Sequence, residues 1–435
     1  MTAIRHTGGK QALKRLLVSE VFPPQTGGSG RWLWELYRRM PLEQVVAAAG
    51  EFPGAEPFDC SHDMRIYRTP LTLRNYGFFS LNGVLAYWRS LRALRRIVLA
   101  EKITEIHCGR TIPEGWMAWQ LKHMYGVPYV CYVHGEEINF AKRSRELTWM
   151  TRRVLGGARF QIANSRNTRS LLVEQWNQPA ANVRLLHPGV DTRRFTPDKR
   201  DAAVRRELGW GDRSVVLTVG RLQRRKGQDM MIRALPAIRR QAPKVLYSIV
   251  GSGGDTDYLH NLAQTEGVSD CVDFRGEPSD EEMTRCYQQC DLFALPNRTI
   301  GGDIEGFGMV LIEAQACGKA VIAGDSGGTR DTMRVGETGL IVNCIEPAPL
   351  AAAVVELLLD PNRRESMGRA ARTWAIEQFD WEQLGRRAEQ LFCGQAADAS
   401  RHSKEALRDA AIEAAAGEQC AAEPGDSLLA TQENT

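Results

Sequence analysis

Short apolar segments alternate with amphipathic ones along most of the chain, and this alternation constrains the fold more than any other feature. The first half contains strand-like segments in KRLLVSEVF, QVVAAAG, MRIYRTP, EIHCGR, PYVCYVHG and RFQIANS. The second half repeats the pattern in SVVLTVG, KVLYSIVG, CVDFRG, DLFALPN, AVIAGD and GLIVN. Strands that alternate with helices form parallel sheets with helices on both faces. The sequence therefore predicts an α/β fold of two doubly wound, Rossmann-like domains that face each other across a cleft.

The length of the chain also requires more than one domain. A chain of 435 residues is too long for one ordinary hydrophobic core, and a composition of 43% hydrophobic and 25% charged residues is that of a globular protein. We predict a first domain over residues 1–195, a hinge near residues 190–210 and a second domain over residues 210–375. A helix over residues 376–394 is expected to cross back to the first domain, and the tail over residues 395–435 is expected to be flexible.

Charge and cysteine usage exclude several classes of protein. A formal net charge of +4 is too small to indicate a nucleic-acid partner. The ten cysteines are scattered, and the closest pair, Cys286 and Cys290, has no matching second pair, so the pattern indicates neither a zinc site nor a disulfide framework. Because no apolar run is long enough to span a bilayer and the N-terminus lacks a convincing signal peptide, we expect a cytoplasmic protein.

Two strand ends in the first half carry candidate ligand-binding residues. Gly27, Gly28 and Gly30 form a loop between the first strand and a helix, where backbone amides can approach an anion. A tight turn between the strand and the helix explains the same glycines. His134 ends the strand in PYVCYVHG and faces the expected cleft, where it could donate a hydrogen bond to a sugar or its leaving group. A purely structural histidine is the alternative.

The second half opens with a basic loop directly after its first strand. In VGRLQRRKG, Arg221 and Lys226 precede a helix, an arrangement that suits a diphosphate. A solvated basic loop is the alternative. Gly251 and Gly253 follow the next strand and would let the backbone pass close to a nucleotide, although a glycine cluster alone is weak evidence.

The stretch EGFGMVLIE is the most specific in the chain. Glu305 lies in a glycine-rich loop, and Glu313 follows on the helix that MVLIEAQA begins. The loop carboxylate can accept hydrogen bonds from sugar hydroxyls, and the helix carboxylate can accept them from a ribose. An exposed loop acid and a favourable charge near a helix N-terminus are the alternatives.

Taken in order, these stretches resemble glycosyltransferase family four, a large group of retaining enzymes with the GT-B fold. FPPQTGG is similar to the family's N-terminal glycine loop, YVHG to its sugar-contacting histidine strand, and ANSRNTRSLL and HPGVDTRRFTP to segments that close its first domain. GRLQRRKG is similar to its diphosphate-binding loop, and EGFGMVLIE to its paired-glutamate motif. The resemblance extends from about Leu16 to about Phe392 and leaves only the tail outside.

The resemblance implies a role for each matching residue. The residues implied in catalysis hold the donor diphosphate and the transferred sugar: Arg221, Lys226, His134 and Glu305. The residues implied in donor binding contact the nucleotide sugar: Gly27, Gly28, Gly251, Gly253, Phe307, Gly308 and Glu313. In the family's pattern Glu305 contacts the donor sugar, Glu313 contacts the ribose, and the basic pair stabilises charge on the leaving group. The first domain binds the acceptor, the second binds the nucleotide-diphosphate sugar, and no essential metal ion or other cofactor takes part.

The chain departs from the family's pattern at three positions. Ala320 replaces a frequent proline, Asn297 replaces a serine, and Asp331 takes the acidic position of a usual GG-x-x-E segment. The first two changes look benign. The third is expected near the donor and leaves the identity of the sugar open.

Within the family, RKGQDMMIRALPAI and GGDIEGFG are similar to bacterial phosphatidylinositol mannosyltransferases and their relatives. This favours GDP-mannose as the donor and transfer of mannose to a lipid-linked, glycan or small polar acceptor. UDP-glucose and UDP-N-acetylglucosamine stay open as donors. A sugar-nucleotide 2-epimerase and a catalytically inactive binding subunit are alternatives of other classes, and the basic loop with its paired glutamates disfavours both.

One predicted helix of the first domain is both basic and aromatic. The segment AYWRSLRALRRIVLAEK combines four arginines with large apolar side chains: Arg89, Arg92, Arg95 and Arg96 with Tyr87, Trp88, Leu91 and Leu94. RWLWELYRRM is a second helix of this kind. A basic amphipathic helix can lie on the anionic inner face of a membrane, where a lipid-linked acceptor would be met. A helix packed on the sheet with its arginines in water is the alternative.

Overall fold

The computed structural model describes residues 13–73, 77 and 81–392, and its strands form two parallel sheets. The first sheet contains β1 (Arg15–Ser19), β2 (Val45–Gly50), β3 (Arg65–Thr69), β4 (Glu105–Cys108), β5 (Tyr129–Val133), β6 (Gln161–Ala163) and β7 (Val183–Leu185). The second contains β8 (Ser214–Val219), β9 (Val245–Val250), β10 (Val272–Phe274), β11 (Leu292–Leu295), β12 (Val321–Gly324) and β13 (Gly339–Val342). Both sheets belong to one compact unit that ends at Arg387.

The helices fill the intervals between the strands. In the first half they are α1 (Gly28–Tyr37), α2 (Glu56–Asp59), α3 (Leu81–Ala100), α4 (Trp116–Tyr125), α5 (Glu136–Ala141), α6 (Arg145–Gly157) and α7 (Arg166–Ser170). In the second half they are α8 (Ala202–Glu207), α9 (Gln228–Gln241), α10 (Thr256–Thr265), α11 (Asp280–Gln289), α12 (Met309–Ala316), α13 (Pro347–Leu359), α14 (Pro361–Phe379) and α15 (Trp381–Phe392).

The strand order gives each sheet one point at which the direction of winding reverses. The first sheet runs β3-β2-β1-β4-β5-β6-β7, so the reversal lies between β1 and β4. The second runs β10-β9-β8-β11-β12-β13, so the reversal lies between β8 and β11. Ligands of doubly wound sheets bind outside the carboxyl ends of the strands at such a point. The topology therefore directs attention to the residues that follow these four strands.

Burial explains why the strand predictions succeeded. Every residue of β1, β2, β4 and β5 is buried, as is usual for parallel strands covered by helices on both faces. All twelve predicted strands occur in the structure. The sequence analysis missed β7, a strand of three residues in which only Val183 is fully buried, because so short a segment has no detectable pattern.

The segment expected to be a hinge near residues 190–210 is more ordered than a linker. Val190, Phe195, Leu208 and Trp210 are buried in the same apolar cluster as β8 and β11, and residues Ala202–Glu207 form α8. Gly189 lies at a close crossing of two chain segments, because a Cβ atom there would lie 2.7 Å from the Phe379 carbonyl oxygen. The Val190 amide donates to the Phe379 carbonyl at 2.8 Å, which joins the crossing to the end of α14.

The chain passes back towards the first sheet after α14. Trp381, the first residue of α15, lies 6.0 Å from the guanidinium of Arg39, which follows α1. This contact places the start of α15 beside the end of α1, while the returning helix over residues 376–394 and the domain bounds stay predictions. The tail predicted over residues 395–435 lies outside the described residues.

Candidate active site

A cleft of about 1180 Å³ is lined by residues from both sheets. In the first sheet these residues follow β1, β4, β5 and β6, and in the second they follow β8, β9 and β11. The cleft therefore lies at the carboxyl ends of the strands and includes both points of reversal. Its volume is above the usual range for small-molecule sites, which leaves space for two substrates side by side.

The basic loop after β8 lies in this cleft, as the sequence predicted. Arg221 is exposed in the cleft wall, and its guanidinium makes no hydrogen bond or ion pair within the described residues. The Lys226 ammonium donates to Glu305 Oε2 at 2.6 Å, and the Arg225 guanidinium donates to the same oxygen at 2.8 Å. The loop thus brings three cations to the cleft, of which Arg221 is uncompensated and available to an anionic ligand.

Glu305 is a buried carboxylate held by two cations. Burial alone would raise its pKa, but Lys226 and Arg225 outweigh burial and hold the pKa of Glu305 below its ordinary value. Glu305 is therefore ionised at neutral pH. A charged carboxylate on the cleft wall can accept hydrogen bonds from the hydroxyls of a bound sugar.

Arg225 connects this carboxylate with acidic residues on both sides of the cleft. Its guanidinium lies 3.1 Å from Asp303 Oδ1 and 3.6 Å from Glu136 Oε2. Glu136 begins α5 in the first domain, so the ion pair joins the two domains across the cleft. The sequence analysis did not select Arg225. Its position next to Lys226, a predicted phosphate ligand, was the signal that could have selected it.

His134 follows β5 and lines the cleft, but its hydrogen bonds give it a different role from the donor role that the sequence suggested. Its Nε2 lies 2.8 Å from the Gly109 carbonyl oxygen, which can only accept, so this nitrogen carries the proton. Burial lowers the pKa of His134 to about 4, so the ring is neutral at neutral pH. Its Nδ1 is then an acceptor, suited to receive a hydrogen bond from a sugar hydroxyl.

The predicted glycine loop is shorter than expected. Gly27 precedes α1, whereas Gly28 and Gly30 lie within its first turn. Gly27 and Gly28 both line the cleft, so the N-terminus of α1 opens onto it and presents amide groups that have no partner within the helix. Free amides at a helix N-terminus suit a phosphate.

The glycines after β9 line the cleft and also have a steric reason to be glycine. A Cβ atom on Gly251 would lie 2.2 Å from the Gly220 carbonyl oxygen, and one on Gly253 would lie 2.3 Å from the Leu222 carbonyl oxygen. The two loops therefore pack backbone against backbone beside Arg221. This packing holds the cation loop in place whether or not the glycines touch a ligand.

The two ends of the EGFGMVLIE motif have different environments. Phe307 and Gly308 line the cleft with Glu305. Glu313 is buried on α12, where it accepts hydrogen bonds of 2.8 Å from Arg31 Nη1 and from the Tyr287 hydroxyl. Glu313 is absent from the cleft wall formed by the described residues. Its role towards a ribose stays a prediction, and a ribose would share the carboxylate with these donors or displace one of them.

Models of two protein families match the two halves of the chain. The model described as "Glycosyltransferase Family 4" matches residues 26–194, and the model described as "Glycosyl transferases group 1" matches residues 201–374.

Several curated relatives are similar over nearly their whole length. The GDP-mannose-dependent alpha-(1-6)-phosphatidylinositol monomannoside mannosyltransferase of Mycolicibacterium smegmatis is 35% identical over 390 residues, which cover 87% of this chain and 98% of the relative. The chain belongs to glycosyltransferase family four. A GDP-mannose-dependent monoacylated alpha-(1-6)-phosphatidylinositol monomannoside mannosyltransferase of Corynebacterium glutamicum is 31% identical, with 86% of this chain and 96% of the relative covered.

Solved structures of other glycosyltransferases have the same fold. The Anabaena protein HepE in complex with UDP superposes with a TM-score of 0.74 at 20% identity, over 88% of this chain and all of that chain (100%). The sucrose-phosphate synthase of Thermosynechococcus elongatus also gives a TM-score of 0.74, at 23% identity, over 87% and 98% of the two chains. The fold of this glycosyltransferase is therefore GT-B.

The unusual Asp331 of this glycosyltransferase contacts protein groups rather than the cleft. Its Oδ2 atom accepts from the Arg166 amide at 2.5 Å and lies 3.1 Å from His187 Nε2. The His187 ring in turn stacks on Phe307 at a centroid distance of 5.3 Å. Asp331 thus ties the start of α7 to His187, whose ring stacks on the cleft residue Phe307.

Two further features of this glycosyltransferase concern metal ions and membranes. Within the part of the chain that the structure describes, no three His, Cys, Asp or Glu side chains are grouped so that they could hold a metal ion. Among the same residues, none of the helices combines the length and apolarity needed to cross a membrane. The metal-free reaction implied by the resemblance stays a prediction.

Proposed function

We propose that this glycosyltransferase transfers mannose, with retention of configuration, from GDP-mannose to a phosphatidylinositol mannoside or a related lipid-linked acceptor. The observation that carries the proposal is the extent of the similarity. Relatives from two genera, each named as GDP-mannose-dependent, are matched over 98% and 96% of their own length, so the similarity includes both the donor and the acceptor domain.

The charges of the second domain suit a nucleotide-diphosphate donor. Arg221, free of protein partners within the described residues, takes the diphosphate, and Lys226 shares its charge between that diphosphate and Glu305. As the bond between the anomeric carbon and the diphosphate breaks, these cations stabilise the negative charge that develops on the leaving oxygen. The N-terminus of α1 supplies further amide groups to the same phosphates from the opposite wall.

Retention follows if the acceptor attacks from the face that the diphosphate leaves. The new bond joins the acceptor oxygen to the anomeric carbon, and the acceptor proton passes to the departing phosphate oxygen. Glu305 and the acceptor nitrogen of His134 hold the sugar by its hydroxyls during this exchange. The neutral state of His134 suits this role because an imidazolium beside the sugar would oppose positive charge at the anomeric carbon.

A donor screen tests the proposal. Purified protein is incubated with GDP-mannose, UDP-glucose, UDP-N-acetylglucosamine and UDP-galactose, and both the melting temperature and the slow hydrolysis of each donor are followed. A donor that binds only the folded state raises the melting temperature. We expect the largest shift and the fastest hydrolysis with GDP-mannose. A larger effect of a UDP-sugar on both readouts would retain the transferase and reject mannose.

We also propose that α3 rests on the anionic surface of the membrane that carries the acceptor. Its exposed face combines large apolar side chains with arginines: Leu81, Val84, Leu85, Trp88 and Leu99 with Arg89, Arg92, Arg95 and Arg96. Leu81 is 85% exposed and Trp88 is 54% exposed, which is unusual for side chains of this size on a helix that packs on a sheet. The opposite face is buried through Tyr87 and Leu94, so the helix is both docked and amphipathic.

A further inference from the structure

The first sheet places two charged side chains at its point of reversal. Glu20 follows β1 directly, and Arg110 lies two residues after β4. The two strands are paired in parallel, with Val18 opposite Cys108, so Glu20 and Arg110 are neighbours at the same edge of the sheet. Both line the cleft on the wall that faces the cation loop of the second domain. This is the position at which doubly wound sheets bind ligands, and the donor roles described above make no use of it.

The ion pair between these residues is too long to be a hydrogen bond. Arg110 Nη1 lies 3.7 Å from Glu20 Oε2. Within the described residues Glu20 Oε2 is buried and has no hydrogen-bond partner. Arg110 also reaches Ser29 Oγ, in the first turn of α1, at 3.5 Å. A carboxylate and a guanidinium side by side on the cleft wall can bind one polar ligand together, because the carboxylate accepts hydrogen bonds and the guanidinium carries several donors.

Glu114 is buried next to Glu20 and holds its backbone in place. It is fully buried at 0% exposure, and its Oε1 atom accepts from the Glu20 amide at 2.8 Å. Its Oε2 atom has no hydrogen-bond partner among the described residues. A buried carboxylate with an unsatisfied oxygen opposes folding, so the contact with the Glu20 amide is the one stabilising bond that Glu114 makes among these residues.

We propose that Glu20 and Arg110 form the subsite for two neighbouring hydroxyl groups of the acceptor ring, a sugar or a cyclitol, with Glu114 as a positioning residue. The proposal rests on the proposed function in that it assumes a carbohydrate acceptor in this cleft. The carboxylate accepts from one or both hydroxyls, and the guanidinium donates to the oxygen of the second. A vicinal diol matches this side-by-side arrangement of an acceptor and a donor.

The protonation of Glu20 supports this use. Burial and the nearby Glu114 carboxylate raise the pKa of Glu20 to about 7, although Arg110 lowers it. Near neutral pH the carboxyl group is therefore present in both forms. A neutral form can donate to one hydroxyl while it accepts from another, which a permanently ionised carboxylate cannot do.

Binding of soluble probes tests the subsite without any turnover. Saturation-transfer NMR is recorded with myo-inositol and with methyl α-mannoside, in the presence of GDP, for the wild type and for Glu20→Gln, Arg110→Met and Glu43→Gln. Glu43 is an exposed carboxylate before β2 and outside the cleft, so its variant is the matched control. We expect a signal for at least one ring polyol in the wild type and in the control. We expect that signal to fall at least about tenfold in both subsite variants, the usual cost of a lost hydrogen bond to a charged group.

Transfer kinetics give the second readout. With GDP-mannose and phosphatidylinositol monomannoside, Glu20→Gln and Arg110→Met should raise the acceptor KM about tenfold or more and leave hydrolysis of the donor by water within twofold of the wild type. Acceptor analogues that lack single hydroxyl groups sharpen the assignment. The analogue that lacks one hydroxyl of the bound diol should bind the wild type more weakly than the full acceptor does. For Glu20→Gln, the affinities of the analogue and of the full acceptor should differ little.

The two proposals fail in different ways. Absence of transfer from GDP-mannose with intact polyol binding would reject the mannosyltransferase and leave the subsite standing. Equal polyol signals in all four proteins, or no polyol signal in the wild type, would overturn the subsite. Equal losses of donor hydrolysis and of transfer in folded Glu20→Gln would also overturn it, because they would place Glu20 with the donor.

Discussion

The cations of the loop after β8 differ in the protein groups that they contact. Arg221 has no protein partner among the described residues, Lys226 is shared with Glu305, and Arg225 is engaged by acidic groups of both domains. Arg224 lies outside the cleft wall and stacks on Tyr258, with 3.3 Å between its guanidinium carbon and the ring centroid. Among the described residues, this loop therefore contains a cation that is free to bind a ligand, a cation that links the two domains and a cation at the surface.

Substitution of the loop cations separates these roles. Arg221→Ala and Lys226→Ala should each lower kcat/KM by about a hundredfold or more, because each removes a donor that stabilises the leaving group. Arg224→Ala is the matched control from the same loop and should stay within about threefold of the wild type. Steady-state transfer kinetics measure the effect, and melting temperatures verify the fold. Equal activity of all three variants would contradict the diphosphate assignment.

The raised pKa of Glu20 predicts a pH-dependent gain in stability on its removal. Because the pKa is about 7 in the folded protein and 4.5 in its ordinary state, ionisation opposes folding, and the cost grows as the pH rises from 4.5 to 7. Glu20→Gln should therefore stabilise the protein at pH 8 by about 1 to 2 kcal/mol more than at pH 5. Urea unfolding at both values measures this difference, with Glu43→Gln as the control. A gain that is equal at the two pH values would show that Glu20 titrates normally.

Sequence and structure agree best for residues whose role depends on their place at a strand end. His134 and Arg221 were selected because they follow strands, and both lie in the cleft. Glu20 and Arg110 follow strands in the same way, but no family motif draws attention to them. The partners of Glu313 could not be predicted, because Arg31 is distant in sequence and meets it only through the packing of the two domains.

At the scale of elements, α3 combines two features that the sequence could only present as alternatives. Its buried side packs on the sheet and its exposed side carries the apolar and basic residues. The helical periodicity shows which residues share a face. It does not show how far a face is covered, because coverage depends on the neighbouring helices.

Charge reversal on α3 tests contact with the membrane. Arg89→Glu with Arg96→Glu should weaken binding to vesicles that contain anionic phospholipid by at least about tenfold, since each basic residue near such a surface contributes about 1 kcal/mol. The matched control is Arg240→Glu with Arg369→Glu, two exposed arginines of the second domain. Vesicle co-sedimentation measures binding. Equal losses of vesicle binding in the two double variants would show that net charge alone determines binding.

The first turn of α1 depends on the absence of a side chain at one position. A Cβ atom on Gly30 would lie 2.6 Å from the Val21 carbonyl oxygen, whereas one on Gly28 would make an ordinary contact of 3.5 Å with Met309 Sδ. Gly30→Ala should therefore destabilise the protein by about 1 to 3 kcal/mol, the usual cost of overpacking. Gly28→Ala, the control on the same turn, should change stability by less than about 1 kcal/mol. Chemical unfolding measures the free energy of unfolding of both variants. Similar stabilities of the two variants would contradict the steric argument.

At the scale of the whole molecule, contacts between side chains distant in sequence join the two domains at several places. The ion pair of Arg225 with Glu136 crosses the cleft, Arg31 meets Glu313 behind it, and Asp331 joins α7 to the chain crossing at His187. The alternation of strands and helices predicted two doubly wound domains, because that pattern depends only on local burial. The contacts between the domains depend on side chains far apart in sequence, and no local pattern could predict them.

We propose that the enzyme transfers mannose from GDP-mannose in this cleft, with retention of configuration and without a metal ion. The most direct test incubates the protein with GDP-mannose and phosphatidylinositol monomannoside in excess EDTA and determines the anomeric configuration of the product by NMR. We predict a dimannoside in which the new bond is α, like the bond in the donor. The rate of its formation should be the same with and without EDTA. A β-linked product, or transfer that occurs only with a UDP-sugar or only after a divalent metal is restored, would contradict it.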